Sequence, residues 1–318
     1  MQSFFVVCFR LISVFGSGEK EKNMDYNELL ESVCEYINEK LDTGAKATVV
    51  KTLKNNGVKL CGISICAPGV NASPTIYMEN YYLEYLKGMD IWEIGDKVIE
   101  IYKSSALKKD IDVDFFSDFE QVKDKLFIKL INIEKNREFL SEVPYEEFQD
   151  LAIVAYCDIK NKSIGKGSIT LKNSHLKMWD VNAGEVIGIA KENTFNHQKM
   201  KIRHILEVLK TIGPCCIKDI DMDEESFPMY IVTNSEGING AVFMTMPEKL
   251  KEMSEVIEGD FFIIPSSIHE LIIIPAKDSD SDNLEEIIRE VNENHVGREE
   301  VLADHPYYYN QRDETLIF

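Results

Sequence analysis

Apolar and polar residues follow one another along the chain in an order that predicts strand, turn, strand and helix. Apolar residues three and four positions apart predict an amphipathic helix over residues 24–41. Two β-rich runs follow, at 45–53 and 58–66. The Asn-Asn-Gly sequence at 55–57 favours a hairpin turn between them, because Asn and Gly tolerate positive φ.

The same order recurs through the rest of the chain. The other predicted strands are 126–133, 151–158, 168–172, 229–234, 241–246, 260–264 and 270–274. The other predicted helices are 79–87, 91–103, 174–180, 182–192, 199–211, 247–257 and 283–295. A hairpin buries one of its faces against the helix that follows it. We therefore predict an α+β fold of recurrent strand–turn–strand–helix units. Its antiparallel sheets are covered by helices, which argues against a doubly wound parallel sheet.

The first 23 residues differ from the rest of the chain. Their apolar run is broken by Arg10, is too short to span a bilayer, and lacks the basic start and cleavage site of a signal peptide. Lys20 and Glu21 can be encoded as a ribosome-binding sequence ahead of Met24. We interpret residues 1–23 as a dispensable extension upstream of the true start at Met24. A start at Met1, with a disordered tail or a degenerate export signal, is the alternative.

The remainder is divided into an N-terminal α+β region, 24–224, and a C-terminal α+β region, 225–318. The C-terminal region holds the last two predicted hairpin-plus-helix units, at 229–257 and 260–295.

The amino-acid composition of the chain argues against two classes of partner, nucleic acids and membranes. The formal net charge of the 318 residues is −20, and no polybasic segment interrupts it. Such a surface repels phosphate backbones, so neither a nucleic acid nor a membrane is expected as a partner. The odd number of cysteines, 7, includes no Cys-x-x-Cys pair. Reduced thiols in the cytoplasm fit this pattern, and the adjacent Cys215 and Cys216 are interpreted as a buried turn.

No metal or cofactor is expected. Three acidic runs begin like calcium loops: Asp110, Asp112 and Asp114; Asp219, Asp221 and Asp223; and Asp278, Asp280 and Asp282. Each lacks the glycine at position six and the glutamate at position twelve that build an EF-hand. No glycine-rich phosphate loop precedes a helix. His197 and His204 are seven positions apart, nearly the same face of a helix, but have no partner at metal-ligand spacing.

Polar residues that could form a site cluster near the end of the chain. The candidates are Ser266, Ser267, His269, Glu270, Asp304 and His305. A histidine can act as a base and a serine as a nucleophile if hydrogen bonding brings them together. The competing interpretation is that the serines and His269 satisfy backbone groups of the turn between two very apolar strands. The Pro-Tyr-Tyr-Tyr sequence after His305 is interpreted as a closing strand packed on the core.

Several segments carry a family resemblance. They are Ser73–Tyr82, Val232–Asn234 with Gly237, Gly240 and Ala241, Phe262–Glu270, and Val301–Tyr309. They resemble a clostridial-type bacterial domain-of-unknown-function family, number 5688, over residues 24–318. The Pro-Ser-Ser-Ile-His-Glu sequence at 265–270 is the most specific. A more distant similarity of layout is to YtpQ-like proteins. The resemblance implies a bacterial protein and no reaction, ligand or catalytic residue.

Two functional hypotheses follow. The first is a non-enzymatic intracellular interaction or accessory protein with a protein partner, because no catalytic or cofactor motif is present. The alternative is a hydrolase-like enzyme that uses His269 with Ser266 or Ser267. A pocket that joins His269 to Asp304 or His305 would favour the enzyme, and an exposed apolar patch would favour the binding protein.

Overall fold

A computed structural model describes residues 24–41, 44–70, 73–105, 114–161, 165–212, 228–265, 267–278 and 281–318. Its helices are α1 Tyr26–Lys40, α2 Glu79–Leu86, α3 Ile91–Ser105, α4 Phe119–Val122, α5 Arg137–Leu140, α6 Asn173–Trp179, α7 Ala183–His197, α8 Ile205–Ile212, α9 Pro247–Ile257 and α10 Ser281–Asn294. Its strands are β1 Lys46–Leu53, β2 Lys59–Cys66, β3 Thr75–Tyr77, β4 Leu126–Asn132, β5 Tyr145–Phe148, β6 Leu151–Asn161, β7 Gly165–Thr170, β8 Met200–His204, β9 Tyr230–Asn234, β10 Phe261–Ile264, β11 Leu271–Pro275, β12 Tyr307–Asn310 and β13 Thr315–Ile317. The described strands pair only antiparallel, in three sheets, which confirms the predicted α+β class.

The N-terminal sheet has the order β1–β2–β3 and is covered by α1 and α3. Helix α1 begins with a capping box, in which the Asp25 carboxylate accepts from the backbone N–H of Glu28 at 2.9 Å. Val33 of α1, Ile63 of β2 and Ile94 of α3 are fully buried in the core between these elements. The predicted hairpin at 45–66 is therefore confirmed, and its helices lie where the apolar spacing placed them.

The other two sheets share the largest core. One sheet has the order β4–β6–β5, with β7 also paired to β6. The other has the order β13–β12–β10–β11–β9–β8. Their buried residues join those of α7 and α9 in one apolar cluster that draws on residues 122 to 309. The β10–β11 hairpin lies at the centre of the larger sheet.

Two predicted elements are wrong. The strand predicted at 241–246 is a 3-10 helix, Gly240–Thr245, whose first five residues are buried. Strand β9 pairs instead with β8 and β11, so both of its edges are already filled. A short apolar run that is buried on all sides looks the same as a strand in sequence, since periodicity cannot separate the two.

The helix predicted at 199–211 is also wrong in its first half. Residues Met200–His204 form β8, and the helix begins only at Ile205. His197 therefore ends α7 while His204 ends a strand, so the two do not share a helix face as predicted. Burial along β8 alternates between more and less exposed positions, which is the period of a strand rather than that of a helix.

Candidate functional site

The connection between β10 and β11 holds the described candidate residues Ser267, His269 and Glu270; Ser266 lies outside the described residues. The connection is held against a second loop. Ser267 forms a β-bridge with Val301, and the backbone N–H of Ile268 donates to the carbonyl of Glu300 at 2.8 Å. These contacts place Glu300, which is far away in sequence, beside His269.

His269 is fixed by hydrogen bonds at its ring and its backbone. Its Nδ1 accepts from the backbone N–H of Asn239 at 3.1 Å. Its carbonyl accepts from Gly240 N at 2.9 Å and from Thr233 Oγ1 at 2.8 Å. Gly240 is packed so closely that an added Cβ would lie 2.7 Å from the His269 carbonyl oxygen. His269 therefore connects the β10–β11 connection to the start of the buried 3-10 helix.

The remaining ring nitrogen of His269 faces Glu300. Nε2 lies 3.6 Å from Glu300 Oε1, and about a third of each side chain is exposed (29% and 32%). Because Nδ1 accepts a hydrogen bond, the neutral ring carries its proton on Nε2, toward the carboxylate. Burial lowers the pKa of His269, Lys129 lowers it further, and Glu300 opposes both effects. The imidazole is thus held neutral over more of the pH range than a free histidine.

Ser267 does not meet the imidazole of His269. Its hydroxyl oxygen accepts from the backbone N–H of His269 at 3.0 Å, which is a turn contact within the connection. A nucleophilic serine instead needs its proton within reach of a ring nitrogen. Here Nδ1 is bound to Asn239 and Nε2 faces Glu300. The geometry suits the stabilisation of a turn more than the activation of a nucleophile.

Glu270 and Lys129 add two partly buried charges to the surroundings. Burial raises the pKa of Glu270, with Arg203 opposing and Glu300 adding to the effect. Burial lowers the pKa of Lys129 to about 8. The Lys129 ammonium donates to Thr170 Oγ1 at 3.0 Å across the β4–β6–β7 surface.

Asp304 and His305 belong to other clusters. Asp304 Oδ2 accepts from Lys135 Nζ at 2.7 Å, and its Oδ1 accepts from Asn292 Nδ2 at 2.9 Å. His305 Nε2 lies 3.0 Å from Asp150 Oδ2, and the Tyr307 hydroxyl donates to the other oxygen of the same carboxylate. The hydrogen bond to Asp150 raises the pKa of His305 against the effect of burial. Burial alone would raise the pKa of Asp150, but the bonds from His305 and Tyr307 lower it.

The following aromatic residues form the closing strand that the sequence predicted. Tyr307 and Tyr309 of β12 are 0% and 1% exposed and face the shared core, while Tyr308 faces the other side. The candidate residues therefore fall into two places: the β10–β11 connection with Glu300, and the Asp150–His305–Tyr307 cluster with its neighbour Asp304.

In the described part of the chain, no three His, Cys, Asp or Glu side chains are grouped so as to hold a metal ion. The middle acidic run, and Asp110, Asp112 and Asp280 of the other two, lie outside the described residues. None of the described helices combines the length and the apolar character needed to cross a membrane.

Sequence reasoning missed three charged neighbours of the candidate residues: Glu300, Lys129 and Asp150. Lys129 has a sequence signal, because it is the only charged residue in the apolar strand β4. Glu300 and Asp150 have none, because each is one acid among 55 and is placed only by the tertiary fold.

Comparisons with known proteins were informative in one case. No match was found among curated proteins or among solved structures. The model of a family of unknown function, DUF5688, matches residues 26–311, which is most of the chain and includes all the residues of both clusters. The chain therefore belongs to the DUF5688 family.

Proposed function

We propose that this chain is a non-enzymatic binding or accessory protein of the bacterial cytoplasm, which acts through contact with another protein. The net charge of −20 supports a protein partner over a nucleic acid. Among the described residues, Cys34, Cys61, Cys66 and Cys157 are free, which agrees with a reducing compartment.

The observation that carries the proposal is that both ring nitrogens of His269 already have a partner in the protein. One ring nitrogen accepts from the Asn239 backbone and the other faces Glu300, while Ser267 accepts from the His269 backbone. A hydrolase with this pair would have to break these contacts before the histidine could take a proton from the serine. Two of these contacts have a complete structural purpose, since they satisfy the backbone N–H groups of Asn239 and His269 around a partly buried turn.

Exposed apolar side chains add support. In the region of α2 and α3, Leu83, Leu86 and Trp92 have exposed fractions of 54%, 45% and 55%. Trp92 is held against the Tyr36 ring, with 4.9 Å between ring centroids. A large aromatic side chain that is both exposed and held in place is typical of a residue that contacts a partner.

The test is labelling with a fluorophosphonate probe, which reacts with activated serine nucleophiles. We expect Ser266 and Ser267 of the folded wild-type protein to stay unlabelled. The Ser267→Ala and His269→Ala variants should show the same absence of labelling. A parallel capture from a native extract should recover the same partner with the wild type and with Ser267→Ala. Labelling of either serine that His269→Ala abolishes would overturn the proposal and support the hydrolase alternative.

A further inference from the structure

We propose that a groove beside the C-terminal end of α9 binds a lysine or arginine side chain of the partner protein. This inference rests on the proposed binding function and names the chemistry of its partner. The groove encloses about 430 Å³ between the end of α9, the outer ends of β10 and β11, and β12. That volume is within the range of about 300–1,000 Å³ of ligand pockets in proteins.

Two aromatic rings form one wall of the groove. Phe262 of β10 and Tyr308 of β12 are cross-strand partners, with ring centroids 5.4 Å apart. Both rings are on the face of the sheet away from the shared core, and both are partly exposed. The face of an aromatic ring attracts an ammonium or guanidinium group, so this wall favours a cation with an apolar stem.

Negative charge lies at the floor and rim. The Asp260 carboxylate accepts from the Tyr308 hydroxyl at 2.6 Å and from the backbone N–H of Gln311 at 2.8 Å. Those bonds lower the pKa of Asp260 and keep it ionised. An ionised carboxylate offers about four acceptor positions, so about two of them are left for a ligand.

The end of α9 adds to this charge. The helix has 11 residues, and its last residue, Ile257, lines the groove together with Glu258. Glu258 ends the helix in a left-handed conformation at φ 60° and is exposed. The C-terminal end of a helix carries a partial negative charge, which stabilises a nearby cation.

Among the described residues that line the groove, Lys277 is the one cation, and its side chain is exposed. With Glu258 and Asp260, these lining residues carry an excess of negative charge. Removal of the Lys277 charge increases that excess, which makes Lys277 a useful control position.

The experiment uses capped Gly-Lys-Gly and Gly-Arg-Gly peptides as probes, with Gly-Gln-Gly as the neutral control. The readout is the δ1 methyl NMR signal of Ile257, which lines the groove, with Ile94 of the N-terminal core as an internal reference. We expect saturable shifts of Ile257 with the two basic peptides and none with the neutral one.

Five variants separate the contributions of charge and ring. Asp260→Asn should weaken the basic peptides about tenfold, because it removes a charge-assisted hydrogen bond. Tyr308→Phe keeps the ring and should retain binding, and Lys277→Gln should tighten it. Glu39→Gln, at an exposed position of α1, removes the same charge elsewhere and should change nothing. Asp260→Asn also changes the acceptor of the Tyr308 and Gln311 hydrogen bonds. If it lowers the melting temperature, Glu258→Gln provides the same test of negative charge and leaves those two bonds intact.

Ile257 shifts that are equal for all three peptides, or that Asp260→Asn and Glu258→Gln both leave intact, would overturn the groove proposal. That failure is distinct from failure of the proposed function. Absence of peptide binding, with unlabelled serines and partner capture retained, removes only the groove. Serine labelling with peptide binding intact removes the non-enzymatic function and leaves the groove.

Discussion

At the scale of single residues, His269 has the clearest structural role. Its Nδ1 satisfies the backbone N–H of Asn239, a residue that is only 9% exposed. His269→Ala leaves that donor unpaired, which should lower the free energy of unfolding by about 1–3 kcal/mol. His269→Asn places an amide oxygen near the position of Nδ1 and should recover part of the loss. Urea unfolding measures both, and equal losses for the two variants would contradict the assigned hydrogen bond.

The Asp150–His305 pair predicts a pH dependence whose sign follows from the pKa directions. The pKa of His305 is higher in the folded protein, so its contribution is complete below its unfolded pKa of about 6.5 and is lost as the pH rises through the folded pKa. The pKa of Asp150 is lower in the folded protein, so its contribution exists above about 3.9 and is lost as the pH falls through the folded value.

The stability difference between wild type and His305→Gln should therefore be largest near pH 5. We expect about 1 kcal/mol there, because both side chains are partly shielded, and less at pH 8.5. Subtracting the two proteins cancels titration at His269. Thermal unfolding at both pH values provides the measurement, and a difference that grows toward pH 8.5 would contradict the ion pair.

The candidate site was partly predictable at this scale. Ser267, His269 and Glu270 are found at the turn where the sequence placed them. This was predictable because the reactive side chains lie in the same short segment as the turn between the two apolar strands. Their partner Glu300 was not predictable, since Ile268 and Ser267 meet the 300–301 segment only through long-range bonds. The same holds for Asp150, which meets His305 across 155 positions of sequence.

At the scale of elements, the β10–β11 hairpin packs on both faces, which is typical of a continuous apolar strand sequence. Ile263 and Ile273 face the shared core, while Ile264 and Ile274 pack against Leu284 and Ile288 of α10. Ile273 is 0% exposed. Ile273→Ala should cost about 2–5 kcal/mol of unfolding free energy, and Ile317→Ala, at 56% exposed, should cost much less. An unchanged melting temperature for Ile273→Ala would contradict this packing.

Element types were predictable where a local signal agreed with the tertiary fold. The Asn56 turn is one case, since its φ of 60° is a conformation that Asn tolerates. The segment 241–246 is the opposite case. Asn239 at φ 58° turns the chain into the core, and the apolar residues that follow are buried as a 3-10 helix rather than paired. The choice between a strand and a 3-10 helix depends on whether β9 has a free edge. Both edges of β9 are occupied, one by β8 and the other by β11.

At the scale of the whole molecule, the apolar cores divide the chain at a different place from the boundary between the predicted N-terminal and C-terminal regions. The N-terminal core is built from residues between 26 and 102, whereas the shared core runs from 115 to 316 with its packed neighbours. The boundary at 224/225 stays a prediction. The shared core contains residues from both sides of it, such as Leu130 and Ile263, so we expect fragments cut there to lose their burial.

The 55–57 turn connects these two cores. Asn56 Nδ2 donates to the carbonyls of Arg298 and Val301 at 2.9 and 2.6 Å. Its Oδ1 accepts from Asn136 Nδ2 at 3.0 Å, and Asn55 Nδ2 donates to the Glu299 carbonyl at 2.7 Å. A side chain that bonds two separate loops at once can couple the unfolding of the two cores.

Asn56→Gly should uncouple the two cores. Glycine keeps the positive φ and loses the side-chain bonds, while Asn56→Ala loses the bonds and adds about 1–2 kcal/mol of left-handed strain. Native-state hydrogen exchange should show α1 and β2 opening at a lower free energy than β10 and β11 in both variants. In the wild type, the difference between these two opening free energies should be smaller. Asn136→Ala should be less than additive with Asn56→Gly, because both remove the same bond. Equal gaps in the wild type and both Asn56 variants would mean that the cores are joined by contacts other than this turn.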